Sequence, residues 1–401
     1  MVDKNETIGT ASWMNGHAVT ARIERGQASK LTIALIGNQA FGLMNFRGAL
    51  IRRLVGQGHT VVALVPDYTP ATRATIRDMG AIPLDHGISR TGLNPWIDGR
   101  AIWKLRATLK QIAPDLVLAY TVKPVVYGIF AARLAGVKRR YALIEGLGHA
   151  FIHAGTIKQR LLQGFVSALY GFALHLTDRT LFLNADDRAE FSRRGLVPEE
   201  RSQVVGTIGV ALDEWSVAPP VVEPITFLFI GRLLYEKGVA EFAAAAEMIR
   251  ADFPSARFAM VGDLDSNPSS LQRETLEDWV SRGLVEWPGH TDVRPWIAHA
   301  SVFVLPSYRE GFPRATQEAM AMGRPVITTD VAGCRETVLD RVNGFLIPPR
   351  DVHALAKAMR HFLDEPALIA SMGAKSRDLA EKHFDVDMAT NRLLDAIDVP
   401  R

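Results

Sequence analysis

Short apolar runs alternate with longer amphipathic stretches in the first half of the chain. Each run is rich in Val, Leu, Ile and Ala and has the length of a strand buried on both faces. Helical stretches separate the runs, such as the one from about Leu43 to Gly56, and leave room for the crossovers of a parallel sheet. The runs are Leu31–Gly37 (LTIALIG), Val61–Val65, Leu116–Ala119, Tyr141–Ile144 and Thr180–Leu183.

Three prolines, Pro219, Pro220 and Pro224, interrupt this rhythm, and a second series of runs follows them. A proline-rich stretch is typical of a linker, so we expect a domain boundary between about Asp213 and Pro224. The second series comprises Thr226–Gly231 (TFLFIG), Arg257–Gly262, Ser301–Leu305 and Val326–Thr329.

The two series predict an α/β protein of two Rossmann-like, doubly wound parallel-sheet domains that face each other across a cleft. The length of 401 residues fits two domains of ordinary size, and clefts between domains are preferred ligand sites. We expect a flexible extension over 1–29, an N-terminal domain over 30–213 and a C-terminal domain over 224–379, with a last helix over 380–401 that packs back on the N-terminal domain.

Composition narrows the class of protein further. Hydrophobic residues make up 48% and charged residues 22% of the chain, as in globular proteins with well-buried sheets. Cys334 is the single cysteine, which excludes a disulfide framework and a cysteine-based zinc site and fits a reducing, cytoplasmic compartment. Residues 1–29 are polar and lack the apolar core of a signal peptide.

Positive charge is concentrated between Arg100 and Arg160. This segment holds eleven Lys and Arg residues and two acids, Asp115 and Glu145, so it carries +9 while the rest of the chain carries −6. Such a basic field favours an anionic surface or ligand. Nucleic acid is disfavoured, because no nucleic-acid-binding motif occurs and the aromatic residues are not interleaved with the basic ones.

The adjoining stretch, Leu161–Thr177, contains no Lys, Arg, Asp or Glu. It is shorter than the roughly 20 apolar residues that a confident membrane span needs. Its small or polar positions recur every four residues, at Gln163, Ser167, Gly171 and His175, and form one stripe of a helix. Two interpretations stay open: a helix packed against a sheet, or a helix in contact with a membrane surface.

The stretch Tyr308–Pro349 places Glu310 and Glu318 eight residues apart, with a Gly-Phe-Pro turn and a helix start between them. Pro313 suits the first helical position, since its missing N–H would have no partner there, and Gly323 suits a left-handed cap at the helix end. Ligands of open α/β sheets bind at the carboxyl ends of strands, and helix N–H groups attract anions. The pattern favours a ligand with phosphates and hydroxyls, such as a nucleotide-sugar; two solvated glutamates are the alternative.

The second series of strands opens with GRLLYEKG, residues 231–238. Arg232 follows the strand at once, and Lys237 comes five residues later, before the next helix. An arginine fork and a lysine point charge around one turn can clamp a diphosphate. Ordinary solvated charges on a turn are the alternative.

A possible metal motif, Asp263–Leu264–Asp265, follows another strand. Two such carboxylates can hold a divalent metal against a diphosphate. Arg232 and Lys237 already supply positive charge, however, and the histidines show no ligand spacing with carboxylates. We therefore expect no metal site.

Three segments, GRLLYEKG, YREGFPRATQEAMAMGRPVITTDVAGCRETV and NGFLIPPRD, resemble the C-terminal domain of the retaining glycosyltransferases of family 4. That family has the GT-B architecture of two facing Rossmann-like domains. In the first half, NQAFGLMNFR and YTVKPVVYGIFAARLAGVKRRYALIEGLGHAF resemble a narrower group of bacterial enzymes, which transfer a hexose or N-acetylhexosamine to a sugar linked to undecaprenyl diphosphate. The resemblance covers about residues 30–395 and is most specific over 308–349.

The resemblance implies a role for each matching residue in the donor site. Arg232 and Lys237 would hold the donor diphosphate. Glu310 would bind hydroxyls of the transferred sugar, together with backbone N–H groups from Gly311 and Phe312 onward. Arg232, Lys237 and Glu310 would thus be the catalytic side chains.

Further residues would complete the two substrate sites. Glu318 would accept hydrogen bonds from the ribose hydroxyls, and the turn from Gly289 to Thr291 would bind the nucleobase through its main chain. On the acceptor side, the resemblance points to Lys123 and to the loop Glu145–His149.

The function implied is retaining transfer of a hexose or N-acetylhexosamine, GalNAc or GlcNAc in the first place, from a UDP-sugar to an undecaprenyl-diphosphate-linked saccharide in bacterial surface polysaccharide or glycan assembly. No metal or other cofactor would be required, and the enzyme would lie on the inner face of the cell membrane as a peripheral protein. A nucleotide-sugar 2-epimerase of the same architecture and a non-catalytic nucleotide-sugar-binding protein are the alternatives.

Overall fold

The computed structural model describes residues 30–88, 95–146, 157–265 and 267–401. These residues form two compact units, one of 30–208 with 389–401 and the other of 209–388. Each unit is built on one parallel sheet with helices between its strands, so the predicted α/β class is confirmed.

The N-terminal unit contains a seven-stranded sheet. Its strands are β1 (Thr32–Ile36), β2 (Thr60–Val65), β3 (Ile82–Asp85), β4 (Leu116–Tyr120), β5 (Arg139–Ile144), β6 (Arg179–Phe182) and β7 (Ser202–Val204). They run parallel in the order β3-β2-β1-β4-β5-β6-β7. The central strands β1 and β4 are almost wholly buried, as their continuous apolar sequences predict.

Helices connect these strands. They are α1 (Ala40–Gly56), α2 (Pro70–Asp78), α3 (Pro95–Ile112), α4 (Ile129–Ala135), α5 (Ile157–His175) and α6 (Ala185–Arg193). A π-helical turn, Pro124–Gly128, leads into α4, and a 3-10 turn, Glu199–Arg201, precedes β7. Within the described ranges, no helix has the length and apolar character needed to cross a membrane.

The C-terminal unit contains a five-stranded parallel sheet. Its strands are β8 (Thr226–Ile230), β9 (Arg257–Val261), β10 (Val302–Leu305), β11 (Val326–Thr329) and β12 (Gly344–Ile347). They lie in the order β12-β11-β10-β8-β9. Its helices are α7 (Val239–Asp252), α8 (Arg273–Ser281), α9 (Arg294–His299), α10 (Arg314–Ala321), α11 (Val352–Asp364) and α12 (Ala367–His383), with 3-10 turns at Tyr235–Lys237 and Arg335–Thr337. The last helix, α13 (Val386–Ala396), belongs for most of its length to the N-terminal unit.

Three strands, β3, β7 and β12, are absent from the sequence prediction. All three lie at sheet edges. An edge strand has a neighbour on one side only and can be short and polar, so it lacks the continuous apolar run that marks a central strand. β3, with Pro83 at its second position, shows this clearly, since proline is tolerated at edges.

The C-terminal segment after Ala389 belongs to the N-terminal unit. Arg139 and Arg179, the first residues of β5 and β6, donate hydrogen bonds to the carbonyls of Ile397 and Ala396 at 2.7 and 2.6 Å. The Tyr141 hydroxyl donates to Asp398 Oδ2 at 2.9 Å. These contacts fasten the chain end at the amino edge of the sheet.

Candidate functional site

The predicted donor residues follow two neighbouring strands of the C-terminal sheet. β8 lies between β9 and β10, so successive strands are added on opposite sides of it. Arg232 comes two residues after β8, and Glu310 comes five residues after β10. The carboxyl ends of parallel strands share one edge, and the point where strand order reverses is the preferred ligand crevice of such sheets.

Lys237 and Glu310 form an ion pair at this edge. Lys237 Nζ lies 2.5 Å from Glu310 Oε1, and the Ser307 hydroxyl donates to the same oxygen at 2.7 Å. The two side chains are 21% and 11% exposed, so the pair is shielded but still accessible. The sequence assigned them to different parts of one ligand; the structure brings them into direct contact.

The backbone around this pair permits little variation. Gly238 follows Lys237 with a φ of +76°, and a side chain on it would overlap the carbonyl of Pro306. Gly333 has the same φ, and a side chain there would overlap the carbonyl of Glu310. Glycine accepts both the left-handed conformation and the close approach. These two glycines therefore allow the backbone beside Lys237 to pack directly against Pro306, and the backbone at Gly333 to pack directly against Glu310.

Arg232 takes a different partner. Its Nη1 lies 3.0 Å from Asp265 Oδ2, and the arginine side chain is 51% exposed. The other oxygen of Asp265 accepts the backbone N–H of Asn267 at 2.9 Å. Asp265 therefore serves a guanidinium and a turn, and among the described residues no cluster of three His, Cys, Asp or Glu could hold a metal.

Helix α10 begins one residue later than the sequence indicated. Pro313 is its N-cap, with an extended ψ of 118°, rather than its first helical residue. Proline keeps its φ in both positions, so only ψ distinguishes them, and the sequence does not specify ψ. Gly323 has a φ of +75° just after the helix, as predicted for its left-handed cap.

Phe312 contributes packing before α10 begins. Its ring is 8% exposed and meets the ring of Phe384 edge-on at 5.5 Å. Only its main chain is therefore suited to a ligand, as the resemblance implies for Gly311 and Phe312.

Glu318 lies in α10, one turn after Arg314. Arg314 Nε is 2.8 Å from Glu318 Oε1, and the carboxylate side chain is 13% exposed. Burial raises the pKa of Glu318, and the charge and hydrogen bond of Arg314 lower it in part. The arginine thus helps to keep a shielded carboxylate ionised, the form that only accepts hydrogen bonds.

The turn from Gly289 to Thr291 lies beside the end of β9. The Gly262 N–H donates to the Gly289 carbonyl at 3.0 Å, and Trp287 Nε1 donates to the Gly262 carbonyl at 2.8 Å. Gly289 has a φ of +77°, and Thr291 is exposed. These hydrogen bonds with Gly262 hold the turn at the same sheet edge as Arg232.

Sequence reasoning missed a second group of polar side chains around Tyr308. The Tyr308 hydroxyl donates to Glu241 Oε1 at 2.6 Å, and the guanidinium of Arg350 lies 4.5 Å from the centre of its ring. Burial, and then Glu241, raise the pKa of Tyr308 to about 12. Tyr308 directly precedes the Glu310 motif, but nothing in the sequence spacing connects it with Glu241 on α7.

On the N-terminal unit, Lys123 and Glu145 follow the neighbouring strands β4 and β5. Lys123 Nζ lies 3.1 Å from Asp98 Oδ1, and the Tyr127 hydroxyl donates to Asp98 Oδ2 at 3.1 Å. Glu145 forms an ion pair with Arg47 of α1. The rest of the predicted acceptor loop, 147–149, lies outside the described residues.

Two family models match the chain, one in each unit. The model described as "Glycosyl transferase 4-like domain" matches residues 42–207, and that described as "Glycosyl transferases group 1" matches 224–365.

Two curated relatives of this chain are named as glycosyltransferases. The chain is 28% identical over 385 residues to the N,N'-diacetylbacillosaminyl-diphospho-undecaprenol alpha-1,3-N-acetylgalactosaminyltransferase of Campylobacter jejuni, covering 92% of this chain and 98% of that protein. It is 27% identical over 284 residues to the UDP-Gal:alpha-D-GlcNAc-diphosphoundecaprenol alpha-1,3-galactosyltransferase of Escherichia coli, covering 68% of this chain and 72% of that protein.

Solved structures share the fold. Sucrose-phosphate synthase of Thermosynechococcus elongatus superimposes with a TM-score of 0.75 at 19% identity, over 91% of this chain and 97% of that one. HepE of Anabaena, in complex with UDP-glucose, superimposes with a TM-score of 0.73 at 17% identity, over 92% and 99%. With both family models and these relatives in agreement, the chain belongs to glycosyltransferase family 4, has the GT-B fold and is a glycosyltransferase.

Proposed function

We propose that this glycosyltransferase moves a hexose or N-acetylhexosamine from a UDP-sugar onto a saccharide carried by undecaprenyl diphosphate, in the assembly of a bacterial surface polysaccharide or glycan. The observation that carries the donor half is the Lys237–Glu310 ion pair at the sheet edge where Arg232 also lies. The names of the C. jejuni and E. coli relatives, both with acceptors on diphospho-undecaprenol, support the acceptor half. UDP-Gal in the E. coli name and UDP-glucose bound to HepE support the nucleotide.

The chemistry requires stabilisation of a departing UDP. Cleavage of the anomeric C–O bond builds negative charge on the diphosphate, and cations already in position stabilise that charge. Arg232 is half exposed and can fork onto two phosphate oxygens, while Lys237 can share its three N–H donors between Glu310 and a phosphate. In this proposal the donor diphosphate binds with both cations.

The two glutamates then serve as hydroxyl acceptors rather than as an acid/base pair. Lys237 bonds to one oxygen of Glu310 and Arg314 bonds to one oxygen of Glu318, so each carboxylate is held in a fixed orientation from which it can accept a sugar or ribose hydroxyl. We propose that the leaving phosphate takes the proton of the acceptor hydroxyl. We assign no protein nucleophile, and we propose that the anomeric configuration is retained by attack of the acceptor on the same face.

We propose that neither a metal nor another cofactor takes part. The Arg232–Asp265 ion pair supports this, because the carboxylate that a D-x-D metal site would need is engaged by a guanidinium. Full activity in excess chelator is expected. Strict dependence on Mn²⁺ or Mg²⁺ would contradict the diphosphate assignment.

The donor site is tested by UDP binding in two variants, Lys237→Ala and Glu318→Ala. Each should weaken UDP binding about tenfold or more in titration calorimetry, since a charge-assisted contact is lost. Lys375→Ala is the matched control, because Lys375 is also paired with a carboxylate but lies exposed on α12. Unchanged UDP affinity in both site variants would overturn the donor assignment, and conversion of UDP-sugar without an acceptor would indicate an epimerase.

We also propose that the enzyme lies on the inner, cytoplasmic face of the cell membrane as a peripheral protein. The outer faces of α3, α4 and α5 support this. Trp96 and Trp103 are 86% and 60% exposed on α3, and Phe165 and Phe172 are 54% and 57% exposed on α5. α3 packs against α4 and α4 against α5, so these rings belong to one helical layer.

Basic residues lie among these rings. By helical spacing, Arg100 and Lys104 lie on the same face of α3 as Trp96 and Trp103. Arg100, Lys104 and Ile97 line a groove of about 660 Å³. Aromatic rings with cations suit the headgroup region of an anionic leaflet. On α5 the exposed side carries Phe165 and Phe172, whereas Ser167 and Gly171 of the predicted polar stripe are partly buried.

Sedimentation with vesicles that contain anionic lipid tests this surface. Arg100→Ala with Lys104→Ala should weaken binding roughly 30-fold, at about 1 kcal/mol for each basic residue. Val217→Gln with Val222→Gln, which alters exposed apolar residues of the other unit, is the control and should have no effect. Equal sedimentation of all three proteins would exclude this surface.

A further inference from the structure

The turn over 231–238 is bound along its length by the chain that follows β9. The Leu271 N–H donates to the Leu233 carbonyl at 2.8 Å, and the Tyr235 N–H donates to the Ser269 carbonyl at 2.9 Å. These bonds run in both directions between the two segments, as between neighbouring strands. The segment after β9 is therefore fixed to the basic turn by main-chain contacts, whatever side chains it carries.

Side chains tighten the same arrangement. The Ser269 hydroxyl donates to Glu236 Oε2 at 2.7 Å. The main-chain carbonyl of Glu236 accepts the Tyr308 N–H at 2.9 Å. The basic turn is thus held between the segment after β9 and the segment after β10, and its backbone has little freedom.

Within this framework Asp265 is a rigid partner for Arg232. Its Oδ1 accepts the Asn267 N–H at 2.9 Å, and its own main-chain N–H donates to Ser270 Oγ at 3.0 Å. The Asp265 side chain is 14% exposed, whereas that of Arg232 is 51% exposed. Asp265 Oδ2 therefore offers a fixed acceptor, 3.0 Å from Arg232 Nη1, to a side chain that is otherwise half in solvent.

The contact engages only one part of the guanidinium. Within the described parts of the chain, Arg232 Nε and Nη2 form no hydrogen bond. A guanidinium carries five N–H donors in one plane, so a partner on Nη1 fixes the direction in which the others point. Two parallel donors of this kind bind two oxygens of a phosphate.

A fixed guanidinium is favourable for binding. A long exposed side chain populates several rotamers, and a ligand that must select one of them loses binding free energy. A group that touches the ligand is more effective when a second residue already fixes its rotamer. Asp265 meets this requirement, because its position is set by the backbone contacts of its own loop.

We propose that Asp265 is a positioning residue of the donor site, which holds the guanidinium of Arg232 through Nη1 and leaves Nε and Nη2 for the donor diphosphate. This inference rests on the proposed function and adds to it a residue that acts through Arg232. Asp265 makes no contact with the substrate in this proposal, and no covalent step or proton transfer takes place at it.

Titration calorimetry with UDP tests this role. Asp265→Ala should weaken UDP binding about fivefold, because the ligand alone must then order the guanidinium. Asp265→Asn, which keeps the size of the side chain and one acceptor oxygen, should show a smaller loss. In an Arg232→Ala background, Asp265→Ala should change UDP affinity by less than about twofold, since the group that it positions is absent.

Arg257 and Glu286 provide the matched control at the amino edge of the same sheet. Arg257 is the first residue of β9, its side chain is 53% exposed, and its Nη2 lies 2.6 Å from Glu286 Oε1. This pair resembles Arg232–Asp265 in exposure but lies away from the carboxyl ends of the strands. Glu286→Ala should leave UDP affinity unchanged.

The outcomes separate this inference from the proposed function. Unchanged UDP binding in Asp265→Ala, or an equal loss with and without Arg232, overturns the inference and leaves the donor site standing. Tighter UDP binding in Asp265→Ala also overturns it, because the carboxylate would then compete with the diphosphate for Arg232. An Arg232→Ala variant that binds UDP as the wild type does overturns the diphosphate assignment of the proposed function, and the inference with it.

Discussion

In the C-terminal unit Lys237 keeps 21% of its side chain exposed beside Glu310, whereas in the N-terminal unit Arg47 keeps 2% beside Glu145. An accessible cation can exchange part of its bonding to a carboxylate for bonding to an incoming phosphate. A buried cation cannot reach a ligand and acts only through the carboxylate that it fixes. The two ion pairs therefore differ in what remains accessible to a ligand: in the C-terminal unit the cation itself is partly exposed, whereas in the N-terminal unit only the carboxylate is.

Removal of the accessible cation should have the largest effect. Lys237→Met is expected to lower kcat about 100- to 1000-fold, because a preorganised charge on the leaving group is lost. Steady-state rates with saturating UDP-sugar and acceptor measure it. Lys375→Met on α12 serves as the exposed control, and a loss below threefold in Lys237→Met would remove Lys237 from the catalytic groups.

Arg324 extends the comparison between accessible and buried cations, because it is a buried arginine that bonds to backbone carbonyls instead of a carboxylate. Arg324 is 0% exposed and donates to the carbonyls of Ala300, Ala218 and Pro219 at 2.8 to 2.9 Å, and burial lowers its pKa to about 10. Arg324→Met should lower the free energy of unfolding by about 3 kcal/mol, since three carbonyls, among them the buried one of Ala300, lose their donor. UDP affinity of the folded variant should not change. Urea denaturation gives the first quantity, and a loss below about 1 kcal/mol would mean that water replaces the guanidinium.

Arg47 and Arg324 also show what could not be predicted from the sequence. The alternating apolar runs indicated nine of the strands, because a central parallel strand is buried on both faces and shows this directly in its residues. Gly323 was predicted from its place after α10, since the left-handed cap is a local property. Neither Arg47 nor Arg324 could be identified as a buried cation, because their partners come from distant parts of the chain.

The pH dependence of Glu318→Gln tests the second carboxylate of the donor site. Burial raises the pKa of Glu318, so the folded state favours its protonated form and the wild type loses stability as pH rises through that pKa. The glutamine variant does not titrate there, and its free energy of unfolding relative to wild type should therefore increase from mildly acidic to neutral pH. UDP affinity of the wild type should decrease on acidification, when the carboxylate gains a proton. A difference in stability that is constant with pH would contradict the assigned direction.

The smallest expected effect is that of a thiol-alkylating reagent on Cys334. Burial, and then the charge of Glu310, raise the pKa of its thiol to about 12. Iodoacetamide should leave the folded protein and its activity unchanged at neutral pH and modify the thiol only after denaturation. Mass spectrometry checks this, and rapid modification of the folded enzyme would show that the Lys237–Glu310 cluster is more open than its exposures indicate.

The sequence by itself determined the two series of parallel strands, the strand–turn–helix unit that carries Glu310 and Glu318, and the basic turn that carries Arg232 and Lys237. These are local patterns, set by spacing over a few residues. Only the tertiary structure decided the pairings, with Lys237 bound to Glu310 across 73 residues of sequence and Arg47 bound to Glu145 across 98. The physical reason is that an ion pair depends on which strands become neighbours, and strand order is a property of the assembled sheet.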